Sequence, residues 1–166
     1  MEIIIKKPSL ENIKQIIEIN KDCWLEIYPN SKYKVYKKDI EKKFGNLENM
    51  FKKYQDNFKN FKNNTFVAFN QDIVCGYISF KKQDWKNYLW AMYIDKNYRN
   101  LWIWSKLIKK LIKYFKNENI YLTVAIYNEN AINFYKKHWF EIIPNSENTH
   151  KIIPWKYIPI IEMERE

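Results

Sequence analysis

Glycine is almost missing from this chain. Only Gly45 and Gly76 occur in 166 residues, where average usage near 7% would give about a dozen. Glycine takes left-handed turns and close backbone approaches without steric cost, so its scarcity means that other residues stand at those places. Arginine is equally rare, Arg99 and Arg165 being the two among 29 basic side chains. Phosphate and base-edge readers favour the bidentate arginine fork, so the net charge of +10 argues weakly for a specific nucleic-acid partner. The lysines are spread along the whole chain beside abundant Asn, Ile, Tyr and Phe. AT-rich codons explain such a mix, and a selected polyanion-binding surface is the competing reading. Cys23 and Cys75 are too few and too far apart for a disulfide framework, and no paired His/Cys spacing marks a metal. Both read as small buried apolar residues. No hydrophobic run approaches membrane-spanning length, and the apolar run in Met1 to Lys7 is too short for a signal peptide. The expectation is a cytoplasmic protein without a membrane partner.

What is present is enough apolar residue, 46% of the chain, to bury one sizeable core, and the length predicts a single α/β domain over residues 1–166. Glu2 to Lys6 reads as a strand, followed by a helix capped by Ser9 and running through Trp24 to Tyr28-Pro29-Asn30. Val35 to Phe61 is helical and highly charged, which predicts a lid-like, substrate-side region rather than deep core. Strands follow at Thr65 to Phe69, Ile73 to Lys81 and Asn87 to Ile94, then a helix at Ser105 to Phe115, a strand at Ile120 to Ile126, a helix at Glu129 to Lys137, and closing strands at Phe140 to Ile143 and Tyr157 to Glu164. The predicted order is β-α-α-β-β-β-α-β-α-β-β. There are no repeats and no low-complexity linker.

Two segments carry a motif. The first is Arg99-x-x-Trp102-x-Trp104 between a strand and a helix; the second is Asn128, Ala131, Phe134 and Tyr135 followed by Trp139-Phe140. Together they resemble the GCN5-related N-acetyltransferase (GNAT) superfamily, in which an arginine or glutamine precedes x-x-Gly-x-Gly/Ala and Asn-x-x-Ala-x-x-Phe-Tyr precedes Gly-Phe. The resemblance implies a mixed central sheet with helices on both faces and acetyl-coenzyme A as cosubstrate. It implies transfer of an acetyl group to the primary amine of a small molecule or a protein; a homodimer is compatible with it. Unpaired N–H groups at a helix N-terminus can hold a pyrophosphate. By resemblance, the backbone of Asn100, Leu101, Trp102, Ile103, Trp104 and Ser105 holds it with Arg99 close by as a further cofactor-binding residue, and Met92, Tyr93 and Ile94 lie along the pantetheine arm. Asn128 and Ala131 contact the cofactor, and Tyr135 protonates the departing thiolate. A backbone N–H of the Leu89 to Ile94 strand helps the oxyanion. Trp24 and Tyr28 are the expected acceptor-side residues, though an aromatic pair at i and i+4 also serves as plain packing. Asn128 reads equally as a helix cap, Tyr135 as a core aromatic, and His138 as a surface residue at a helix end. The base that accepts the amine proton is not marked. Many relatives carry a glutamate where this chain has Tyr88, so Glu26, or waters near Trp24 and Tyr28, are the substitutes.

Seven tryptophans now acquire a meaning. Trp102 and Trp104 fill the two glycine slots of the first motif, Trp139 fills the Gly-Phe slot, Trp85 follows Asp84 in a hairpin turn, Trp155 follows Pro154, and Trp90 takes a strand position that is small in many relatives. Trp24, inside a helix, is the ordinary one. If the other six were glycine, glycine usage would rise to about 5%, close to average. The pattern fits UGA codons, read as glycine in some bacterial lineages and translated here as tryptophan. Taken literally, the tryptophans predict instead a non-catalytic GNAT-fold module with impaired cofactor binding.

Overall fold

A computed structural model describes residues 2–99, 102–116 and 118–166. Strand β1 (Ile3–Lys6) leads through a capping box between Ser9 and Asn12 into α1 (Ile13–Ile27), whose Ile13, Ile16, Ile17, Cys23 and Trp24 are buried. Three short helices follow, α2 (Lys37–Lys43), α3 (Leu47–Asp56) and α4 (Phe58–Asn63). Then come β2 (Thr65–Asn70), β3 (Ile73–Gln83), β4 (Lys86–Ile94), α5 (Ile103–Tyr114), β5 (Ile120–Ala125), α6 (Glu129–Lys136), β6 (Glu141–Ile142), β7 (Asn148–Ile153) and β8 (Lys156–Arg165).

The strands form one sheet in the order β1-β2-β3-β4-β5-β8-β6, with β7 also paired to β8. Among the described residues only the β4–β5 pair is parallel; the other pairs are antiparallel. Alternation along the strands divides the core. Phe66, Ala68 and Ile78 face α5, whose Ile103, Leu107, Ile108 and Leu111 are fully buried, whereas Val67, Phe69 and Tyr77 face α1. Each aliphatic side chain buried on α5 stabilises the fold by about 1.5–3 kcal/mol. Gly76 is required where it stands: a Cβ there would lie 2.8 Å from the Tyr93 carbonyl oxygen and 2.9 Å from Ile94 Cγ1. Among the described residues, no helix is long and apolar enough to cross a membrane.

Three expectations change. The 35–61 segment is three helices rather than one, and its start is core: Val35, Ile40 and Phe44 are buried against Trp24. The apolar stripe of Ile40 and Phe44 is visible in the sequence, but the high charge around it pointed to a surface position. Strand β7 is an additional element, its apolar pair Ile152 and Ile153 lying at the end of an otherwise polar segment. Finally, α5 begins at Ile103, so Trp104 stands inside the helix.

Candidate active site

Strand β4 is the axis of the site. It pairs with β5 through Asn87, Tyr88 and Leu89 only, opposite Ile120, Tyr121 and Leu122. Beyond Leu89 the two strands part. On the other edge the register to β3 slips, Ser79 facing Ala91 and Phe80 facing Leu89, so that Trp90 is the extra residue of a bulge. Bulges re-aim side chains and release backbone groups, and they gather beside active sites.

Three cavities join along this splay. A small one of 70 Å³ is lined by Leu89 to Tyr93, Leu122 to Val124, and Trp104, Asn128, Ala131 and Tyr135. A second, of 270 Å³, shares Ile27, Trp104, Asn128 and Ala131 with it and runs to Arg99 and Glu26. A third, of 290 Å³, shares Tyr28, Trp90, Ala91, Tyr93 and Thr123 with the first and runs to Trp24, Lys43 and His150. The splay thus links the start of α5 to the aromatic end of α1.

At the start of α5, Trp102 is the N-cap with φ 58, and the first helical bond is Lys106 N–H donating to the Trp102 carbonyl at 3.0 Å. The N–H groups of residues 103 to 105 precede that bond, as helix geometry requires, and are the kind that receive a pyrophosphate. The donor set therefore fits acetyl-coenzyme A at this turn. Ile103 turns its side chain into the core, so only its backbone can serve. Ser105 Oγ lies 3.2 Å from His138 Nε2, which ties the turn to the end of α6. Asn100 and Leu101 lie outside the described residues.

Arg99 is more constrained than a cation waiting for phosphate. Its guanidinium holds Glu26 in a bidentate pair, Nη1 to Oε1 at 2.5 Å and Nη2 to Oε2 at 2.6 Å, while Nε donates to the Ile94 carbonyl at 3.4 Å. The hydrogen bonds from Arg99 hold the Glu26 carboxyl below its ordinary pKa. That corrects the expectation that Glu26 is a base: a carboxylate held ionised by arginine has little tendency to take a proton. Tyr88 donates to Glu162 at 2.9 Å.

Asn128 caps α6, its Oδ1 accepting from Ala131 N–H at 3.2 Å, and it also lines the groove, so the two readings of this residue coexist. Tyr135 is buried against Phe134 and Phe140 and lines the central cavity. Burial pushes its phenol well above the ordinary tyrosine range, so it keeps its proton throughout the neutral range. Met92 and Tyr93 also line the splay, whereas the Ile94 side chain is fully buried and outside it.

On the acceptor side, the Trp24 and Tyr28 rings pack against each other tilted by 49°, centroids 4.3 Å apart, and Tyr28 Oη lies 3.2 Å from Tyr93 Oη. Burial raises the pKa of both tyrosines, so neither is a base near neutrality. His150 and Lys43 complete this cavity. Sequence reasoning missed both, because a lone histidine on β7 and one lysine among many have no motif. Burial and the nearby Lys43 charge push His150 below the ordinary histidine value.

The tryptophans fall into three groups, with Trp104 half-buried against Phe134 between the extremes. Trp24 is 8% exposed, whereas Trp85, Trp90, Trp102, Trp139 and Trp155 are 62–80% exposed. Indole carries a large apolar surface that folded proteins mostly bury. Trp139, at φ 67, is the left-handed residue of a Schellman motif: its N–H donates to Lys136 O, and Phe140 N–H donates to Tyr135 O. Glycine dominates that slot. Trp85 departs from expectation, since the positive φ of its hairpin falls on Asp84. Trp155 likewise has no left-handed φ.

The acetyltransferase (GNAT) family pattern matches residues 13–140, which spans both motifs and the whole β4–α5–β5–α6 unit. The chain belongs to that family. The family is one of acetyltransferases, with acetyl-coenzyme A as cosubstrate. N-alpha-acetyltransferase 50 of Danio rerio is 33% identical over 95 residues, covering 52% of this chain and 56% of that protein. The chain thus spans about half the length of this relative. The PaiA N-acetyltransferase of Thermoplasma acidophilum, solved in complex with coenzyme A, aligns over 100% of this chain and 99% of its own, with TM-score 0.66 and 22% identity. The ribosomal-protein-alanine N-acetyltransferase of Brucella melitensis aligns over 98% of both chains, with TM-score 0.69 and 17% identity. These two likenesses show the GNAT fold.

Proposed function

We propose that the protein transfers an acetyl group from acetyl-coenzyme A to a primary amine. The observation that carries this reading is the continuous groove from the start of α5, through the β4–β5 splay, to the aromatic end of α1. One end offers a phosphate-binding turn, the middle offers released strand backbone, and the far end offers a half-open acceptor cavity with aromatic walls. Acetyl-coenzyme A supplies the acetyl group as a thioester. His150 takes a proton from the amine as its nitrogen bonds the acetyl carbon, and Tyr135 gives a proton to the sulfur as the carbon–sulfur bond breaks. Backbone N–H groups near the Trp90 bulge are placed to meet charge on the carbonyl oxygen. Arg99 positions the turn through Glu26 and the end of β4.

The same reading includes the tryptophans. We infer that Trp85, Trp90, Trp102, Trp104, Trp139 and Trp155 stand at glycine positions, because five of them are exposed and two hold left-handed backbone. The gene decides this: UGA at codons 102, 104 and 139 supports it, and UGG there sinks it.

Titrating acetyl-coenzyme A into the chain as written and into a form with glycine at all six positions tests both claims. The glycine form should bind at least about 100-fold tighter, equivalent to about 2.7 kcal/mol, since bulky side chains no longer crowd the turn. Absence of binding to either form favours a non-catalytic module.

A further inference from the structure

The acceptor cavity has an uneven polarity. Its walls include Trp24, Phe44, Met50 and Ile160, yet the charged residues that line it are Lys43 and Lys151, with no carboxylate. Lys43 is half-buried, with Nζ 4.5 Å from the Trp24 ring centroid and 3.5 Å from the Ile152 carbonyl oxygen. Among the described residues it forms no salt bridge. A cation withdrawn from water without a counter-ion is costly, and here burial lowers its pKa. Across the same cavity stand two groups that need hydrogen-bond donors. Asn20 Oδ1 is buried and, among the described residues, lacks a partner. His150 lines the same cavity, where burial and the Lys43 charge keep its ring neutral and able to accept a proton.

An anion-seeking cation, donor-seeking acceptors and an apolar wall match one molecule in three parts. We propose that the acceptor is a free apolar α-amino acid, its carboxylate held by Lys43, its amine directed to Asn20 and His150, and its side chain laid on Trp24 and Phe44. The proposal rests on the acetyltransferase reading. The cavity, at 290 Å³, lies at the small end of ligand pockets, and its excess of positive charge repels polyamines. A peptide N-terminus presents a neutral amide where the amino acid presents a carboxylate, and so leaves Lys43 uncompensated.

The test uses whichever form of the protein binds acetyl-coenzyme A. Thiol release is measured with L-leucine, L-leucinamide, the dipeptide Leu-Gly amide and spermidine, in the parent and in Lys43→Met, which keeps an apolar stem of similar length. Leucine should exceed leucinamide by about tenfold in kcat/KM, the scale of one charge-assisted hydrogen bond. Leucinamide has the more acidic ammonium and hence more free amine, so this preference runs against intrinsic reactivity. In Lys43→Met the ratio should fall to about one or below, with the Kd for acetyl-coenzyme A unchanged. Preference for leucinamide, the peptide amide or spermidine overturns the proposal, as does an unchanged ratio in Lys43→Met. Acetyl-coenzyme A binding without transfer to any of the four also overturns it, whereas failure to bind acetyl-coenzyme A overturns the acetyltransferase reading itself.

Discussion

The two ends of the groove work by opposite means. At the start of α5 the chemistry lies in consecutive backbone N–H groups, and side chains are an obstacle; Trp102 there is 79% exposed. At the acceptor end the chemistry lies in side chains drawn from separate elements, Trp24 from α1, Lys43 beside it on α2 and His150 from β7. The difference teaches what a substitution does at each end. Truncation should damage the acceptor cavity and improve the turn.

The largest effect expected at the acceptor end is on stability. Trp24 is buried, packs edge-on to Phe44 at 5.9 Å and lies under the Lys43 ammonium. Trp24→Ala should cost about 3–5 kcal/mol, the range for emptying a large aromatic site. Urea unfolding followed by far-UV circular dichroism measures it. A cost below about 1 kcal/mol would make Trp24 equivalent to the exposed tryptophans and erase the contrast.

Next in size is the proton acceptor. His150→Gln keeps a polar side chain without a titrating ring, and should lower kcat by about 100-fold, at the lower end for general-base catalysis. The sign with pH follows from the lowered pKa. A base must be unprotonated, so parent activity falls as pH drops through a value below 6.5, the ordinary histidine value, and the plateau extends further to the acid side than for an unperturbed histidine. The variant should lose that limb. A pH–rate profile of kcat/KM checks it, and an acid limb that persists in His150→Gln would assign the base elsewhere.

This contrast also explains what the sequence alone could reveal. The turn and α6 were legible because backbone chemistry imposes fixed spacing over a short stretch: Arg99, Trp102 and Trp104 mark one motif, and Asn128, Ala131 and Tyr135 mark the other, even with the glycines displaced. Amphipathic periodicity likewise located α5, with its buried Leu107, Ile108 and Leu111. The acceptor cavity was only half legible. Trp24 and Tyr28 stood out as an i, i+4 aromatic pair, but Lys43 and His150 meet them across long stretches of chain, and proximity of that kind leaves no local signature. The Glu26–Arg99 clasp was hidden for the same reason, and it turned an expected base into a structural anion. On α2 the apolar position of Ile40 was legible but its deep burial was not, because that depends on Trp24 and on Ile152 and Ile153 of β7, which periodicity does not encode.

The smallest effect is the one whose sign matters most. Trp139 holds φ 67 at the end of α6, and its indole is 80% exposed. Left-handed backbone costs a side-chain-bearing residue roughly 1–2 kcal/mol, while an exposed indole returns little burial energy. Trp139→Gly should therefore stabilise the fold by about 1 kcal/mol after glycine's extra unfolded-state entropy is counted, raising Tm by about 2–4 °C for a chain of this size. Trp155→Gly is the matched control, because Trp155 is similarly exposed at 69% but lacks a left-handed φ. There the entropic cost stands alone, and Tm should hold or fall slightly. Differential scanning calorimetry on the two variants separates them. If Trp139→Gly destabilised the protein as Trp155→Gly does, the Schellman slot would not be demanding glycine, and the reading of exposed tryptophans as displaced glycines would lose its conformational basis.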